Sequence, residues 1–450
     1  MISGRTLAKA LTTTAVILAV VGSITAWMLS YQGYLPGDAM VRTWTAAKDR
    51  PTDDTQANDT WVVGDVAVRS RFDAVTGFGL AKGQDGKKLW EYVPPGRTRI
   101  CGSAEHADAS VLLVAYGEEG GESLEPAPRG KGCATVLALD LKDGRELWTA
   151  QRKVTTGRFD EGSQFMDAGG DLAVVTHDHR DARMGRTKDD HTSLRAVDLR
   201  TGKPRWTAAM PASCGPHSVA VGKEQVFAVL ECGGKEADEY GYGGTEGAEL
   251  HVAAFDRATG ALNWKNPMDA RLPVDLRAIV SITSTDPLVL MVGRDGSLDK
   301  GTYLSFGQDG RPRPRIDFDG DHGKIDAADP TQTAIVGERM YALAGRWQKG
   351  EHHNLIALDL TTGETVWKED LDEPGAALLA RDDRITVLGE WSTQSSAITD
   401  LFVFDAGNGE ELDERHFRDE VTGSRFYEHE GRLIAAGAGG GLTFAAFERW

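Results

Sequence analysis

The chain carries too little positive charge for a protein that binds nucleic acid. Its 450 residues include 50 Lys and Arg against 68 Asp and Glu, which gives a formal net charge of −18. An acidic surface repels phosphate backbones and lacks the basic patch on which nucleic-acid binding depends. We therefore expect no nucleic acid among its partners.

The short motifs of common catalytic sites are also missing. The chain has no nucleophilic Ser motif between glycines, no phosphate-binding loop that ends in Lys and no helix with zinc-ligand spacing. Glycine is abundant instead, with 53 residues, and apolar residues make up 40% of the chain. This composition is typical of a folded protein with many tight turns.

One uncharged apolar run, from Ala10 to Leu29, follows the basic residues Arg5 and Lys9 and precedes the aromatic residues Tyr31 and Tyr34. A run of about twenty residues is long enough to cross a bilayer as a helix. Basic residues before such a run and aromatic residues after it place the N-terminus in the cytoplasm. The alternative is a cleaved signal peptide, which would export the same remainder of the chain.

These features predict a single-pass protein of the cell membrane whose main domain is extracellular. The predicted divisions are a cytoplasmic N-terminus at 1–9, a transmembrane anchor at 10–31, a linker at 32–40 and the exported domain at 41–450.

A repeated phrase organises the exported domain. A full copy has a run of alternating apolar residues, then an Asp, a Gly and a Trp four positions after that Gly, as in VLALDLKDGRELW from Val136 to Trp148; the copies from Tyr303 and from Leu401 are degenerate and lack the Trp. The Gly residues recur at Gly86, Gly144, Gly202, Gly260, Gly310, Gly363 and Gly409. A period of roughly fifty residues is typical of one four-stranded blade of a propeller.

Each phrase is predicted to form a β-hairpin, because alternating apolar residues favour a strand and the Asp and Gly favour a tight turn. A second hairpin precedes each phrase, as in VGKEQVFAVL from Val221. Four strands per repeat predict an all-β fold, the β-propeller. The Trp residues that we expect to pack between neighbouring blades are Trp44, Trp90, Trp148, Trp206, Trp264 and Trp367.

The two ends of the chain set the number of blades. The last repeat stops at Trp450, just after its third strand, so that its outer strand is missing. The segment VRTWTAAKD at 41–49 contains the Trp-Thr-Ala-Ala that recurs at Trp206. We therefore predict an eight-bladed propeller of four antiparallel strands per blade, closed by this N-terminal strand and preceded by one transmembrane helix; seven blades are the alternative.

The Asp, the Gly-containing turn and the spaced Trp resemble the tryptophan-docking repeat of the pyrroloquinoline-quinone-like (PQQ-like) propellers. This superfamily includes quinoprotein alcohol dehydrogenases and the outer-membrane-assembly lipoprotein of bacteria, and the resemblance covers nearly all of 41–450. Its enzymes combine an adjacent Cys–Cys disulfide, bound Ca²⁺ and a catalytic Asp, none of which can be assigned to residues of this chain. The resemblance thus implies a non-catalytic member without PQQ, in which the repeat Asp residues close turns.

Four cysteines in an exported domain are an even number, and none of them are adjacent or in a C-x-x-C pair. Oxidising compartments favour disulfides, so two bridges are expected. Cys214 opens the first strand and Cys232 closes the second strand of one blade, while Cys101 and Cys133 flank strands of an earlier blade. We predict the pairs Cys101–Cys133 and Cys214–Cys232.

Long insertions are expected on one face of the propeller. They fall between the second and third strands of a blade (the B–C loops), at 117–132, 178–191, 233–249, 294–301 and 346–354. Long loops on a rigid scaffold are common sites of binding. The aromatic residues Tyr240, Tyr242, Trp347 and Trp391 are therefore predicted to anchor a protein or sugar ligand, with packing against adjacent blades as the alternative.

An acidic segment, DFDGDHGKID, places carboxylates at Asp317, Asp319, Asp321 and Asp326. Alternating carboxylates followed by Gly are how a short loop surrounds Ca²⁺. The Gly stands one position later than in the common calcium loop, and a late Glu is missing. An acidic surface turn is therefore the alternative to a calcium site.

The sequence favours a non-catalytic scaffold at the bacterial cell surface, which binds a protein or another envelope ligand with its B–C loops. No cofactor is predicted except Ca²⁺ at the acidic segment. Two alternatives stay open: a diverged quinone- or metal-dependent oxidoreductase, and a carbohydrate-binding or carbohydrate-processing propeller. Paired carboxylates that point into the central channel would favour the carbohydrate alternative.

Overall fold

The computed structural model describes residues 4–31, 37, 39–46, 57–108, 110–118, 133–152, 165–177, 193–234, 247–345, 353–390, 398–437 and 443–450. One α-helix, α1, extends from Gly4 to Tyr31, and the strand β1 (Ala39–Thr45) follows it. Two short 3₁₀ helices lie at Pro95–Arg97 and Pro330–Gln332. The other regular structure in these ranges is β-strand, which confirms the predicted all-β class.

Helix α1 contains the apolar run from Ala10 to Leu29. No helix in the described ranges is both long enough and apolar enough to cross a membrane. The structure therefore does not support the transmembrane anchor predicted at 10–31.

The strands after β1 group into units of four, and neighbouring strands within a unit are antiparallel. Unit 1 contains β2 (Ala57–Val63), β3 (Val66–Arg71), β4 (Val75–Gly79) and β5 (Lys88–Tyr92), and unit 2 contains β6 (Arg99–Ser103), β7 (Val111–Gly117), β8 (Thr135–Asp140) and β9 (Arg145–Gln151). Unit 3 contains β10 (Met166–Gly169), β11 (Leu172–His177), β12 (Ser193–Asp198) and β13 (Pro204–Ala209), and unit 4 contains β14 (Cys214–Val221), β15 (Gln225–Gly233), β16 (Ala248–Asp256) and β17 (Leu262–Pro267).

The second half of the chain repeats this organisation. Unit 5 contains β18 (Ile279–Thr285), β19 (Leu288–Arg294), β20 (Ser297–Phe306) and β21 (Ile316–Asp317). Unit 6 contains β24 (Thr333–Val336), β25 (Arg339–Gly345), β26 (His353–Asp359) and β27 (Thr365–Leu371), with the short strands β22 (Asp319–Gly320) and β23 (Gly323–Ile325) at its edge. Unit 7 contains β28 (Gly375–Arg381), β29 (Arg384–Glu390), β30 (Ile398–Asp405) and β31 (Glu411–Val421), and unit 8 contains β32 (Arg425–His429), β33 (Arg432–Ala436), β34 (Phe444–Arg449) and β1.

The hydrophobic core lies between units rather than inside them. Each cluster of buried apolar side chains joins two units that are consecutive in the chain, and one further cluster joins unit 8 to unit 1. In that closing cluster, Phe444 of unit 8 packs on Phe78 of unit 1, with ring centroids 5.6 Å apart. The units therefore stand around a central axis like the blades of a propeller.

The strand β1 joins the two ends of the chain. It pairs antiparallel with β34, where Trp44 lies opposite Ala446, and parallel with β31, where Ala39 lies opposite His416. The backbone N–H of Trp450 donates a hydrogen bond to the carbonyl oxygen of Ala39 at 2.9 Å. Trp44 thus lies in the sheet, as predicted, and the strand begins two residues earlier than the predicted segment at 41–49.

The predicted tryptophans pack on the turn glycine of the following unit. Trp206 is an example: its indole Nε1 donates a hydrogen bond to the carbonyl oxygen of Arg257 at 2.8 Å, and its ring covers Gly260. The same arrangement holds for Trp90 on Gly144, Trp148 on Gly202, Trp264 on Gly310 and Trp367 on Gly409. Trp44 covers Gly86 in the same way, although its Nε1 has no hydrogen-bond partner in the described part of the chain.

The repeat aspartates close the turns that the tryptophans cover. One carboxylate oxygen of Asp256 accepts hydrogen bonds from the backbone N–H groups of Ala258 and Thr259, at 3.1 and 2.8 Å. Equivalent bonds are accepted by Asp140, Asp198, Asp359 and Asp405. Since these side chains are engaged with their own turns, they have the structural role that the sequence predicted.

Both predicted disulfides are present. Cys101 pairs with Cys133, and Cys214 pairs with Cys232. Cys214 and Cys232 lie directly opposite each other on β14 and β15. The pair Cys214–Cys232 followed from the strand register, because neighbouring ends of an antiparallel hairpin bring the two Cβ atoms close together.

We predict that Gly260→Ala destabilises the protein more than Gly337→Ala. Both glycines have positive φ, at 73° and 55°, so each substitution costs about 1 kcal/mol of backbone strain. A Cβ at Gly260 would also lie 2.5 Å from the ring of Trp206, whereas a Cβ at Gly337 would meet no atom of a described residue within 4 Å. Overpacking should add about 1–3 kcal/mol for Gly260→Ala. Calorimetric unfolding of both variants tests this, and equal losses would contradict the docking role of Trp206.

Candidate functional site

Most of the sequence-predicted binding face lies outside the described residues. This applies to Tyr240, Tyr242, Trp347 and Trp391, and to most of the long B–C loops. The loop at 294–301 is the exception, since β19 ends at Arg294 and β20 begins at Ser297, and the insertion extends a hairpin. The role of the four aromatic residues stays a prediction.

The acidic segment does not gather its carboxylates around one point. Arg315 binds Asp317 at 2.6 Å, and Asp326 accepts a hydrogen bond from the backbone N–H of Ala328 at 3.0 Å. Among the described residues, no three of the carboxylates at 317, 319, 321 and 326 offer ligand atoms within 4.8 Å of one another. Calcium binding at this segment stays a prediction, and it would require the segment to rearrange.

A group of titratable side chains that the sequence did not single out lies where the first strands of units 8, 1, 2 and 3 approach one another. Its members, the channel cluster, are Asp59, Glu105, His106, Asp167 and Arg425. The first strand β2 packs against the first strands β6 and β32 of the neighbouring units. The first strands therefore surround the central axis, and the cluster lies at the inner wall of the ring.

His106 is held in its protonated form by Asp167. The imidazole Nδ1 lies 3.3 Å from one carboxylate oxygen of Asp167, and the other oxygen accepts the backbone N–H of Val221 at 2.8 Å. The hydrogen bond to Asp167 raises the pKa of His106 to about 9. Asp167 thus connects unit 2 to unit 4 and fixes a positive charge on His106 at neutral pH.

Asp59 and Arg425 form the second ion pair of the channel cluster, at 3.1 Å, between units 1 and 8. Burial nevertheless raises the pKa of Asp59, and this effect is larger than the opposing attraction of Arg425. Burial also raises the pKa of Glu105, whose backbone carbonyl accepts the indole N–H of Trp61 at 2.9 Å. Two carboxyl groups with raised pKa values therefore lie close to two cations.

Water reaches the cationic members of this cluster. His106 keeps 56% of its side chain exposed and Arg425 keeps 40%, whereas Asp167 is fully buried. The carboxylates thus stand behind the cations and hold them in place. This arrangement can bind a polar ligand in the channel, and burial makes the two carboxyl groups hold their protons more tightly than free carboxyl groups do.

A second titratable group, the seam cluster, lies where unit 7 meets β1. It consists of Glu373, Asp400 and His416, and His416 lies opposite Ala39 of β1. His416 Nδ1 forms a hydrogen bond with Asp400, which raises the pKa of His416. Burial and the neighbouring Asp400 raise the pKa of Glu373 to about 7. A proton is therefore gained or lost beside the closing strand near neutral pH.

Comparison with known proteins identifies relatives along nearly the whole ring. The family model described as outer membrane protein assembly factor BamB matches residues 44–229 and 248–447. The outer membrane protein assembly factor BamB of Moranella endobia is 24% identical over 239 residues, or 52% of this chain and 53% of that protein. The matched region thus spans about half the length of that curated relative.

Two solved structures align with most of the chain. BamB from Moraxella catarrhalis is 13% identical, with 91% of this chain and 100% of that chain covered and a TM-score of 0.47. The quinohemoprotein alcohol dehydrogenase from Comamonas testosteroni is 14% identical, with 91% of this chain and 75% of that chain covered and a TM-score of 0.48.

We predict that Asp167→Asn lowers the pKa of His106 from about 9 towards the value of about 6.5 of a free imidazole. The Asn keeps an acceptor for the N–H of Val221 but loses the negative charge. Because the folded-state pKa is the higher one, the stability that His106 contributes is complete below about pH 6.5 and disappears as the pH rises through about 9. NMR titration of the imidazole signals tests this, with His106→Gln to assign them. An unchanged pKa in Asp167→Asn would contradict it.

We also predict that Glu373→Gln makes the protein more stable at pH 8 but not at pH 5. The pKa of Glu373 rises from 4.5 to about 7 on folding, so its contribution to stability is complete below about pH 4.5 and is lost as the pH rises through 7. Gln removes that loss. Thermal unfolding at both pH values measures the difference, with Glu369→Gln on the exposed face of β27 as the control. A gain that is equal at both pH values would contradict this assignment.

Proposed function

We propose that this chain, which belongs to the family described as outer membrane protein assembly factor BamB, is a non-catalytic scaffold that binds other proteins in the bacterial cell envelope. The observation that carries the proposal is the family match, which spans units of both halves of the ring. A relative that is named as an assembly factor acts together with other proteins, and this chain shares its repeat. Fold alone would not support the assignment, because propellers of this type host both enzymes and scaffolds.

We further propose that the ring has eight blades, not seven. The support is the closed order of the hydrophobic clusters, in which each of the units 1 to 8 shares buried side chains with two neighbours. Unit 8 is complete only with β1, whose Met40 is buried in the cluster shared with unit 7. An envelope location is supported by the two disulfides, because such bridges persist in oxidising compartments.

The proposed partner-binding face is the one that carries the B–C loops and the connections between units. Exposed apolar side chains of the described residues lie there, namely Phe72 and Val93 of unit 1 and Leu272 and Ile279 before and at the start of unit 5. Exposed apolar side chains beside long loops are suited to protein contacts. The aromatic anchors Tyr240, Tyr242, Trp347 and Trp391, which the sequence predicts for the same face, lie outside the described residues.

The second candidate function is binding of a carbohydrate in the central channel. It is favoured by Asp59 and Glu105, two neighbouring carboxyl groups at the inner wall whose pKa values burial raises. A carboxyl group whose pKa is raised holds its proton more tightly, and in its protonated form it can donate a hydrogen bond or a proton to a sugar oxygen. Catalysis would need both carboxyl groups to reach the same glycosidic bond.

Site-specific photocrosslinking tests the scaffold proposal. A photoreactive residue at Phe72 or Val93 should crosslink to one and the same envelope protein in living cells, because both positions lie on the proposed face. Leu262 and Leu412 are matched controls, since they are equally exposed apolar residues on outer strands. Crosslinks of the same yield from the controls, or none from the face, would contradict the proposal. Saturable calorimetric binding of envelope oligosaccharides would then favour the carbohydrate function.

A further inference from the structure

Two hairpin turns meet where the ring closes, on the side opposite the B–C loops. Asp65 lies in the turn between β2 and β3 of unit 1, and Glu430 lies in the turn between β32 and β33 of unit 8. His429, the last residue of β32, lies between them. One ligand atom from each of the three side chains lies within 4.8 Å of the others.

The spacing of these atoms suits a metal ion better than a hydrogen bond. His429 Nε2 and Asp65 Oδ1 are 3.4 Å apart, and the Nε2 atom is buried without a hydrogen-bond partner among the residues that the structure describes. Two atoms that bind zinc at about 2.0–2.1 Å in a tetrahedral arrangement are about 3.3 Å apart. The pair is therefore already separated like two ligands of one ion.

An ion can enter this position from the solvent. The side chain of His429 is 13% exposed, whereas those of Asp65 and Glu430 are mostly exposed. The histidine is thus fixed by its surroundings, and the two carboxylates can adjust to the ion. Water can complete the coordination on the open side.

The charges around these three side chains permit a cation to bind. Arg432 lies 3.6 Å from Glu430, but it also contacts Asp85 at 3.2 Å and the carbonyl oxygen of Leu80 at 2.8 Å. Glu448 approaches the same guanidinium at 3.9 Å. The positive charge of Arg432 is therefore offset by Asp85 and Glu448, and the charges of Asp65 and Glu430 are available to an ion.

We propose that Asp65, His429 and Glu430 bind a divalent transition-metal ion of the zinc type, which ties unit 8 to unit 1. An imidazole together with carboxylates suits such ions, whereas Ca²⁺ and Mg²⁺ take oxygen ligands. Because the ligands come from both sides of the ring closure, binding stabilises the closed ring. This site is separate from the proposed partner-binding face and independent of what binds there.

Calorimetric titration of ZnCl₂ into the tag-free, chelator-treated full chain tests the proposal. We expect one ion to bind per chain at this site and to raise the midpoint of thermal unfolding, because a ligand that binds the folded state stabilises it. Asp65→Asn and His429→Asn should each weaken binding at least tenfold and abolish the shift of the midpoint. Asp65 is exposed, so its substitution leaves the metal-free fold intact.

The matched control is Asp382→Asn. Asp382 occupies the same place in the turn of unit 7 as Glu430 does in unit 8, with φ of 54° against 49°, and no metal-ligand group of described residues contains it. This variant should bind zinc as the unchanged protein does. No saturable binding, full affinity in both ligand variants, or competition by excess Ca²⁺ would overturn the proposal.

Discussion

The contact of each tryptophan with the turn of the next unit is the interaction on which the ring depends. It requires three residues at fixed spacing: an Asp that closes the turn, a Gly that has no Cβ under the indole, and the Trp itself. In one unit Pro314 takes the place of the Trp and packs on Gly363. Beside the closing strand, Arg418 of unit 7 lies over the ring of Trp450, at 4.3 Å.

The closing strand β1 works against a larger entropy cost than any other strand. Bringing the two ends of some four hundred residues together costs about 5 kcal/mol of chain entropy, while a backbone hydrogen bond contributes about 1 kcal/mol. Pairing on one edge would scarcely offset that cost. β1 pairs on both edges, with β34 and β31, and buries Ala39 and Met40. The seam cluster and the three residues of the proposed metal site both lie next to this junction, where a change in charge acts on the closure of the ring.

What could be predicted from the sequence is what the repeat encodes locally. The place of Trp44 in the last sheet and both disulfide pairs followed from matching short segments to strands of known order. The channel cluster gave no such signal, because Asp59, Glu105 and Asp167 come from different units and are not repeat positions. Their proximity depends on how the first strands meet around the axis. The apolar run at the N-terminus gave a clear pattern, but the described part of α1 does not support a membrane span.

The two disulfides connect the architecture to the proposed function. Cys133 lies two residues before β8, at the end of the insertion at 117–132, and Cys232 lies near the end of β15, where the insertion at 233–249 begins. Each is bonded to a cysteine on the first strand of its own unit, at the face that carries the long loops. A covalent bond at the root of a loop reduces the freedom that a partner would otherwise have to restrict, so less binding energy is lost to ordering. The disulfides of this propeller lie at the bases of its loops rather than between its units. Since the tryptophans already hold neighbouring units together, the disulfides serve to fix the loops.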